Sequence, residues 1–403
     1  MAESSAPLAS PNTRGLTEAE CRRGRLFLSL AVGGVGFALA LQMGLNANFL
    51  ADDIGVSGLQ IGILEAVRES CGIWALLLLA LLAGLSEPVV GAAMLAVTAV
   101  GLAGYTYAPG YAGVMILSIV WSQGLHVWMP LPQSMAMAMA EPGRTGYRLG
   151  QIGAAASGGF GAGLATGYGL ALLGVSMRPM YLFAGVAAAL AGLACLGIPR
   201  GIAGKRPRLV FRKRYGLYYL LCFLEGWRKQ IFICFAGYLL VSEFQTPLTT
   251  MLILYGVVRL IGVFSAPRVG RLIDRIGERP VLVFYFATLT LFFLGYAVIR
   301  SRWILYAIFI ADNAFFVFAM AINTYVNRLT PTDERTPTLS MGVAMNHLAA
   351  VSMPLIGGLL WATLGYQWAF YLGVIAAVLS IIPALFVPSI GTLGPGGPKP
   401  LDE

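Results

Sequence analysis

The sequence predicts an all-α polytopic membrane protein, with twelve transmembrane helices arranged as two six-helix halves. Three observations predict it. The chain of 403 residues is 58% hydrophobic and only 11% charged, with a mean hydropathy of +0.77, whereas a soluble domain carries about 25% charged residues. Apolar runs recur along the whole length, each near the ~18–20 residues that cross a hydrocarbon core of about 30 Å. The basic residues collect in alternate connections between those runs, the signature of a chain threaded back and forth with its positive loops on one side.

The spans are expected at 26–49, 58–83, 88–108, 111–137, 149–174, 179–198, 216–241, 248–267, 280–299, 303–327, 338–363 and 366–387. Ala108-Pro109-Gly110 supplies the turn residues that separate the third from the fourth. Of the 27 Lys and Arg residues, 20 fall in the tails and loops of one side, three on the other (Arg178, Arg300, Arg302) and four within spans. Both termini are therefore expected in the cytoplasm, of a plasma or bacterial inner membrane, and the net charge of +9 is matched by anionic lipid headgroups. Nucleic acid is not needed to explain that charge. The expected organisation is a polar tail over 1–25, a six-helix bundle over 26–198, a basic linker over 199–215, a second bundle over 216–387 and a tail over 388–403. The linker contains GIAGKRPRLVFRKR (201–214). No short apolar core with a small-residue cleavage site precedes the first span, so no signal peptide is read. Cys21, Cys71, Cys195, Cys222 and Cys234 have neither disulfide-framework nor zinc-site spacing, and read as free thiols.

The halves resemble each other weakly. Residues 49–72 can be laid over 238–262 with one gap, aligning Glu69 with Arg259 and Gly72 with Gly262, and Arg144-Thr145 falls on Arg335-Thr336. An offset near 190 residues is what parallel six-span repeats give.

Eight charges lie inside apolar spans: Glu65, Arg68 and Glu69 in the second, Glu225, Arg228 and Lys229 in the seventh, Arg259 in the eighth and Asp312 in the tenth. A charge at mid-bilayer costs about 2.5–3.5 kcal/mol even on the lenient insertion scale, so it persists where it faces protein, water or a partner. Charges confined to four spans imply a polar cavity between helices, hence a transporter. The i, i+3, i+4 spacing in the second and seventh spans puts each trio on one helix face. Each trio either neutralises itself or offers one net acid and one net base to a solute. Glu65, Glu69, Glu225 and Asp312 are candidate proton carriers, because burial raises a carboxyl pKa and a nearby base lowers it. Arg228, Lys229 and Arg259 are candidate anchors for an anionic group. Gln42 and Asn46 share a face of the first span and, with His126 and Asn313, are candidate cavity-lining polar groups. His126 and His347 sit on separate spans without clustered carboxylate spacing, a poor metal site.

GRLIDRIGERP (270–280), read as the loop between spans eight and nine, is the most specific string. It resembles the major facilitator superfamily pattern G-x-L-x-D-R-x-G-R-R, with Glu278 in place of the first base of the final pair. The resemblance implies a gating loop carried by Gly270, Asp274, Arg275, Gly277 and Arg279. The equivalent segment of the first half, LLAGLSEPVV (81–90), is degenerate and keeps Gly84 and Glu87. PLIGGLLWATLGYQWAFYL (354–372) resembles the eleventh-to-twelfth span segment of that family, with part of the antiporter Gly-Pro motif, and the Gly-rich GQIGAAASGGFGAGLATGYG (150–169) occupies the fifth-span motif position without its proline. Close helix packing is the expected role of these glycines, with export the lesser reading. The family's fold implies that spans 1, 4, 7 and 10 line a cavity, 2, 5, 8 and 11 flank it, and 3, 6, 9 and 12 face outward. All eight intramembrane charges avoid the outward four.

The expected function is secondary active transport of a small organic solute by alternating access, coupled to protons, by a monomer with no cofactor. The alternative is a membrane sensor that keeps the fold without transporting. Gly201 to Lys205 lacks the spacing of a phosphate-binding loop, and no loop groups a nucleophile, a base and an orienting acid, so no enzyme is expected.

Overall fold

The computed structural model describes residues 16–203 and 210–389. Of the tails and basic linker expected at 1–25, 199–215 and 388–403, the stretches 1–15, 204–209 and 390–403 lie outside the described residues. Among the described residues, helix follows helix, and the one β feature is an isolated bridge between Ser86 and Ala203.

The helices run as α1 (Glu18–Ile54), α2 (Gly58–Leu81), α3 (Glu87–Tyr107), α4 (Tyr111–Ala138), α5 (Thr145–Leu172), α6 (Met177–Cys195), α7 (216–242), α8 (Leu248–Ile276), α9 (Glu278–Val298), α10 (Arg302–Leu329), α11 (Thr332–Leu364) and α12 (Tyr366–Leu385). Among the described residues, nine of these are long and apolar enough to cross a membrane. The other three are α2 and α7, which carry the charged trios, and α5, whose glycines dilute its hydropathy. The chain is an integral membrane protein. The break expected at Ala108-Pro109-Gly110 is present: Gly110 has φ +112° and α4 starts at the next residue.

One expectation needs correcting. GRLIDRIGERP is not a loop: α8 continues to Ile276, and Gly277 alone, at φ +87°, turns the chain into α9. Pro267 removes one backbone hydrogen bond without ending the helix, and the Arg, Leu, Ile and Asp that follow are all compatible with helix. Gly270, Asp274 and Arg275 are therefore helical, and Arg279 lies in the first turn of α9.

The chain forms two compact units. The first comprises 1–43 with 74–206, and the second 44–73 with 207–403. The corner between α1 and α2 thus packs with the second unit, although it belongs in sequence to the first six spans.

The first unit is held by small residues. A Cβ on Gly159 of α5 would collide with the carbonyl of Gly33 on α1, one on Gly163 would lie 2.5 Å from the Phe37 carbonyl, and one on Gly36 would strike the Ala156 carbonyl. Gly185 and Gly192 of α6 approach Ala103 and Leu95 of α3 in the same way. Backbones this close gain dispersion contact that larger side chains would prevent. Not every glycine of α5 serves this purpose, because Gly150, Gly153, Gly158, Gly161 and Gly169 face open space.

In the second unit, Gly58 and Gly62 of α2 abut Trp361, Pro354 and Gly358 of α11, while Gly357 abuts Phe235 of α7. The glycines of the partial Gly-Pro motif are therefore crossing points between helices. The Tyr238 hydroxyl donates to the Val56 carbonyl, and Asn48 Nδ2 donates to the Thr246 carbonyl at 2.9 Å. These bonds tie the α1–α2 corner to α7 and the turn after it.

Candidate functional site: two charged clusters in mid-helix

Three helices of the second unit depart from regular α-geometry. α1 ends in a π-helical turn at Phe49–Ile54, α7 is interrupted by one at Phe232–Ala236, and α10 narrows to a 3₁₀ turn at Phe316–Ala319. Such turns free backbone groups and are frequent at functional sites. The interruptions in α7 and α10 directly follow Arg228–Lys229 and Asp312.

The first cluster is sealed. Arg228 and Asp312 are each 0% exposed and Glu225 is buried. The Arg228 guanidinium donates to Glu225 and to the Tyr285 hydroxyl, and Tyr285 in turn donates to Glu225 Oε1 at 3.0 Å. A second guanidinium nitrogen stands 3.7 Å from Asp312 Oδ1, an ion pair too long to be a hydrogen bond. The guanidinium also lies 4.5 Å from the Phe316 ring centroid and 5.3 Å from that of Tyr285, within the range of cation–π attraction. Neither oxygen of Asp312 has a hydrogen-bond partner. Two carboxylates share one base, so the ionised trio carries a net charge of −1 in a fully buried site.

The second cluster is half-buried. Glu65, 1% exposed, is paired with Arg68, whose guanidinium also lies 3.8 Å from Glu69 Oε1. Glu69 Oε2 is 3.7 Å from His347 Nδ1 on α11. Lys229 Nζ donates to Asn346 Oδ1 at 3.0 Å, and Asn346 Nδ2 donates to the Cys222 carbonyl at 3.3 Å.

Sequence reasoning put Glu225, Arg228 and Lys229 on one face. The structure separates them. Successive helical residues point about 100° apart, so Arg228 turns to Asp312 and Tyr285 while Lys229 turns to α11. Asp312 joins Arg228. Asn313 donates back to the Phe309 carbonyl of its own helix at 3.0 Å. Arg259 lies on an exposed stretch of α8, Gln42 is buried in α1 and Asn46 is half-buried. His126, in the first unit, has Nδ1 2.8 Å from the Ser122 carbonyl and 3.0 Å from the Ser122 hydroxyl.

At the α8–α9 junction, Asp274, Arg275 and Arg279 are exposed. The buried residue there is Glu278, 2% exposed, which pairs with Arg328 Nε of α10 at 2.9 Å. Its counterpart in the first unit is Glu87 of α3, buried and accepting from Ser134 Oγ of α4 at 2.7 Å. The acid that departs from the motif is thus the one that ties the helices. A second repeated feature lies two connections further along. Glu141 is held by Arg25 and Arg148, and Glu334 by Arg212, Arg214 and the Tyr215 hydroxyl.

Sequence reasoning missed Tyr285. Its helix was expected to face outward and carries no charge within its apolar stretch, and nothing distinguished its hydroxyl from those of Thr288, Thr290 and Tyr296 on the same helix. It also missed Phe316, whose role depends on where α10 narrows.

Comparison with known proteins agrees with this architecture. Residues 28–336 and 218–400 match the family model described as Major Facilitator Superfamily. No curated protein sequence matches. Among solved structures, the nucleoside transporter NupG superposes with a TM-score of 0.73 at 14% identity, covering 90% of this chain and 98% of that one. A bacterial homologue of the iron transporter ferroportin gives 0.70 at 14%, covering 92% and 99%, and a D-xylose–proton symporter gives 0.68 at 16%, covering 90% and 98%. At these identities the likeness shows the fold and leaves the cargo open. The family model, matched over most of the chain, leads to one conclusion: the chain belongs to the Major Facilitator Superfamily of membrane transporters.

Proposed function

We propose that this protein is a proton-coupled secondary transporter that moves a small organic solute by alternating access of its two repeats, with both termini in the cytoplasm. The observation that carries the coupling is the net charge of the sealed cluster. Glu225, Arg228 and Asp312 together hold one uncompensated negative charge at full burial. Uncompensated charge in a dry interior costs several kcal/mol. One proton removes it. That proton belongs to the cluster as a whole, and Asp312, whose oxygens lack hydrogen-bond donors, is its natural seat. Loading or releasing it changes the attraction between α7 and α10 beside the points where both helices are already irregular.

Reconstituted protein should accumulate its solute in liposomes under an imposed pH gradient. Asp312→Asn should abolish that accumulation yet retain solute exchange at equal pH on both sides. Undiminished pH-driven accumulation by the variant would refute the assignment of coupling to this cluster.

A further inference from the structure

The half-buried cluster differs from the sealed one in three ways that bear on what is carried. It is drawn from both sequence repeats: Glu65, Arg68 and Glu69 come from α2, Lys229 from α7, and Asn346 and His347 from α11. Each of these positions falls near the middle of its helix. Transporters of this construction hold their solute near the bilayer midplane, where the repeats meet. The cluster also keeps some access, with side-chain exposures of 11% for Arg68, 14% for Glu69 and 18% for His347, against 0% for Arg228 and Asp312. And it is electrically balanced. Glu65 and Glu69 oppose Arg68 and Lys229, giving zero net charge with the imidazole neutral.

That balance has two poles. At one, Glu69 faces His347, whose ring lies so close to α2 that a Cβ on Gly72 would fall 2.5 Å from Nδ1. At the other, Lys229 is held by Asn346. Asn346 and His347 are consecutive residues of α11, so the two poles lie at the same level along that helix. An organic anion bound here would leave a net charge of −1 at mid-membrane, and an organic cation would leave +1. Either costs several kcal/mol in a low-dielectric site unless a further ion is carried. A solute bearing both charges a few bonds apart adds none and meets an opposite charge at each pole. An ammonium donates to the Glu69 carboxylate, and a carboxylate accepts from the Lys229 ammonium.

We propose that the solute is a small zwitterion of the α-amino-acid type, bound with its ammonium at Glu69 and its carboxylate at Lys229. This inference rests on the transport reading above. It departs from the sequence reading of Lys229 as an anchor for an anionic group by giving the same solute a cationic end at Glu69.

The test uses the purified full chain in detergent and then in proteoliposomes. Melting temperature is measured with the twenty amino acids, with their N-acetyl derivatives, which keep only the carboxylate, and with their amides, which keep only the ammonium. A set of nucleosides and sugars completes the panel. The expected result is a rise with one or a few free amino acids and none with their blocked forms, followed by counterflow of the same amino acid. Removing one charged partner weakens binding about ten- to a hundredfold. Glu69→Gln should therefore lower affinity for the free amino acid by that factor, and Lys229→Gln likewise. Because blocked ligands probe each pole on the wild-type protein, the test survives a variant that fails to fold. Equal binding of N-acetyl derivatives or amides, or a response confined to nucleosides or sugars, overturns the zwitterion assignment while leaving transport intact. Absence of counterflow with every class overturns both.

Discussion

The two units are held together by different means. In the first, helices meet through glycine and alanine, as at Gly33, Gly36, Gly159 and Gly163, and among its described residues the ion pairs gather at one rim, around Arg25, Glu141 and Arg148. In the second, charge reaches the interior: Arg228 is among its largest fully buried side chains, and the rings of Tyr285 from α9 and Phe316 from α10 lie against it. Small-residue crossings depend on shape alone, tolerate no added atoms and are indifferent to pH. Buried ion clusters depend on charge balance and respond to a single proton. The two units thus share one helical plan while differing in what fills their interiors, with small-residue crossings prominent in the first and buried charge in the second.

The strongest way to break this contrast is to remove the base from the sealed cluster. Arg228→Met should destabilise the protein by about 3–5 kcal/mol, because it strands Glu225 and Asp312 without a counter-charge. The triple change Arg228→Met, Glu225→Gln and Asp312→Asn should restore most of the loss, as read by thermal melting in detergent. If the single substitution melts like the wild type, the second unit is not held by charge.

The first unit should instead fail through shape. Gly159→Leu drives a side chain into the Gly33 carbonyl, and overpacking of this kind costs about 1–3 kcal/mol. Gly161→Ala, two residues away and facing open space, should change stability by no more than about 0.5 kcal/mol. Equal effects from both would mean that the α1–α5 crossing is looser than drawn.

The rim gives the smallest effect and marks where the first unit does use charge. Hydrogen bonds from Arg148 hold the Glu141 carboxyl down at about 2, below its ordinary value of 4.5. The folded state therefore takes up this proton at lower pH than the unfolded chain. The stability contributed is full above about 4.5 and is lost as the pH falls toward 2. Glu141→Gln should lower the melting temperature slightly at pH 7, and the gap to the wild type should narrow by about pH 3.5, inside that window. A gap that stays constant with pH would assign the effect to packing.

Much of this was legible without coordinates. Apolar runs bounded by turn residues located the helices, because the bilayer core admits few other ways to satisfy a backbone. Eight intramembrane charges marked the helices that matter, because burying such a charge is too costly to persist without a partner or a role. The i, i+3 spacing paired Glu65 with Arg68 and Glu225 with Arg228, since one helix fixes those distances.

Other features required the tertiary structure. Lys229 and Arg228 are neighbours in sequence, and only the packing of α7 between α9 and α10 on one side and α11 on the other sends them to different clusters. Tyr285 and Phe316 acquire their roles from contacts across helices, which no periodicity encodes. The end of α8 read as a loop because charged residues and glycines so often mark one, yet helix propensity carried it through to Gly277. The sequence by itself determined which residues are costly to bury and how many helices bury them. Only the tertiary structure decided which of those charges are sealed and which remain reachable, because burial and partner choice depend on distances between segments far apart in the chain.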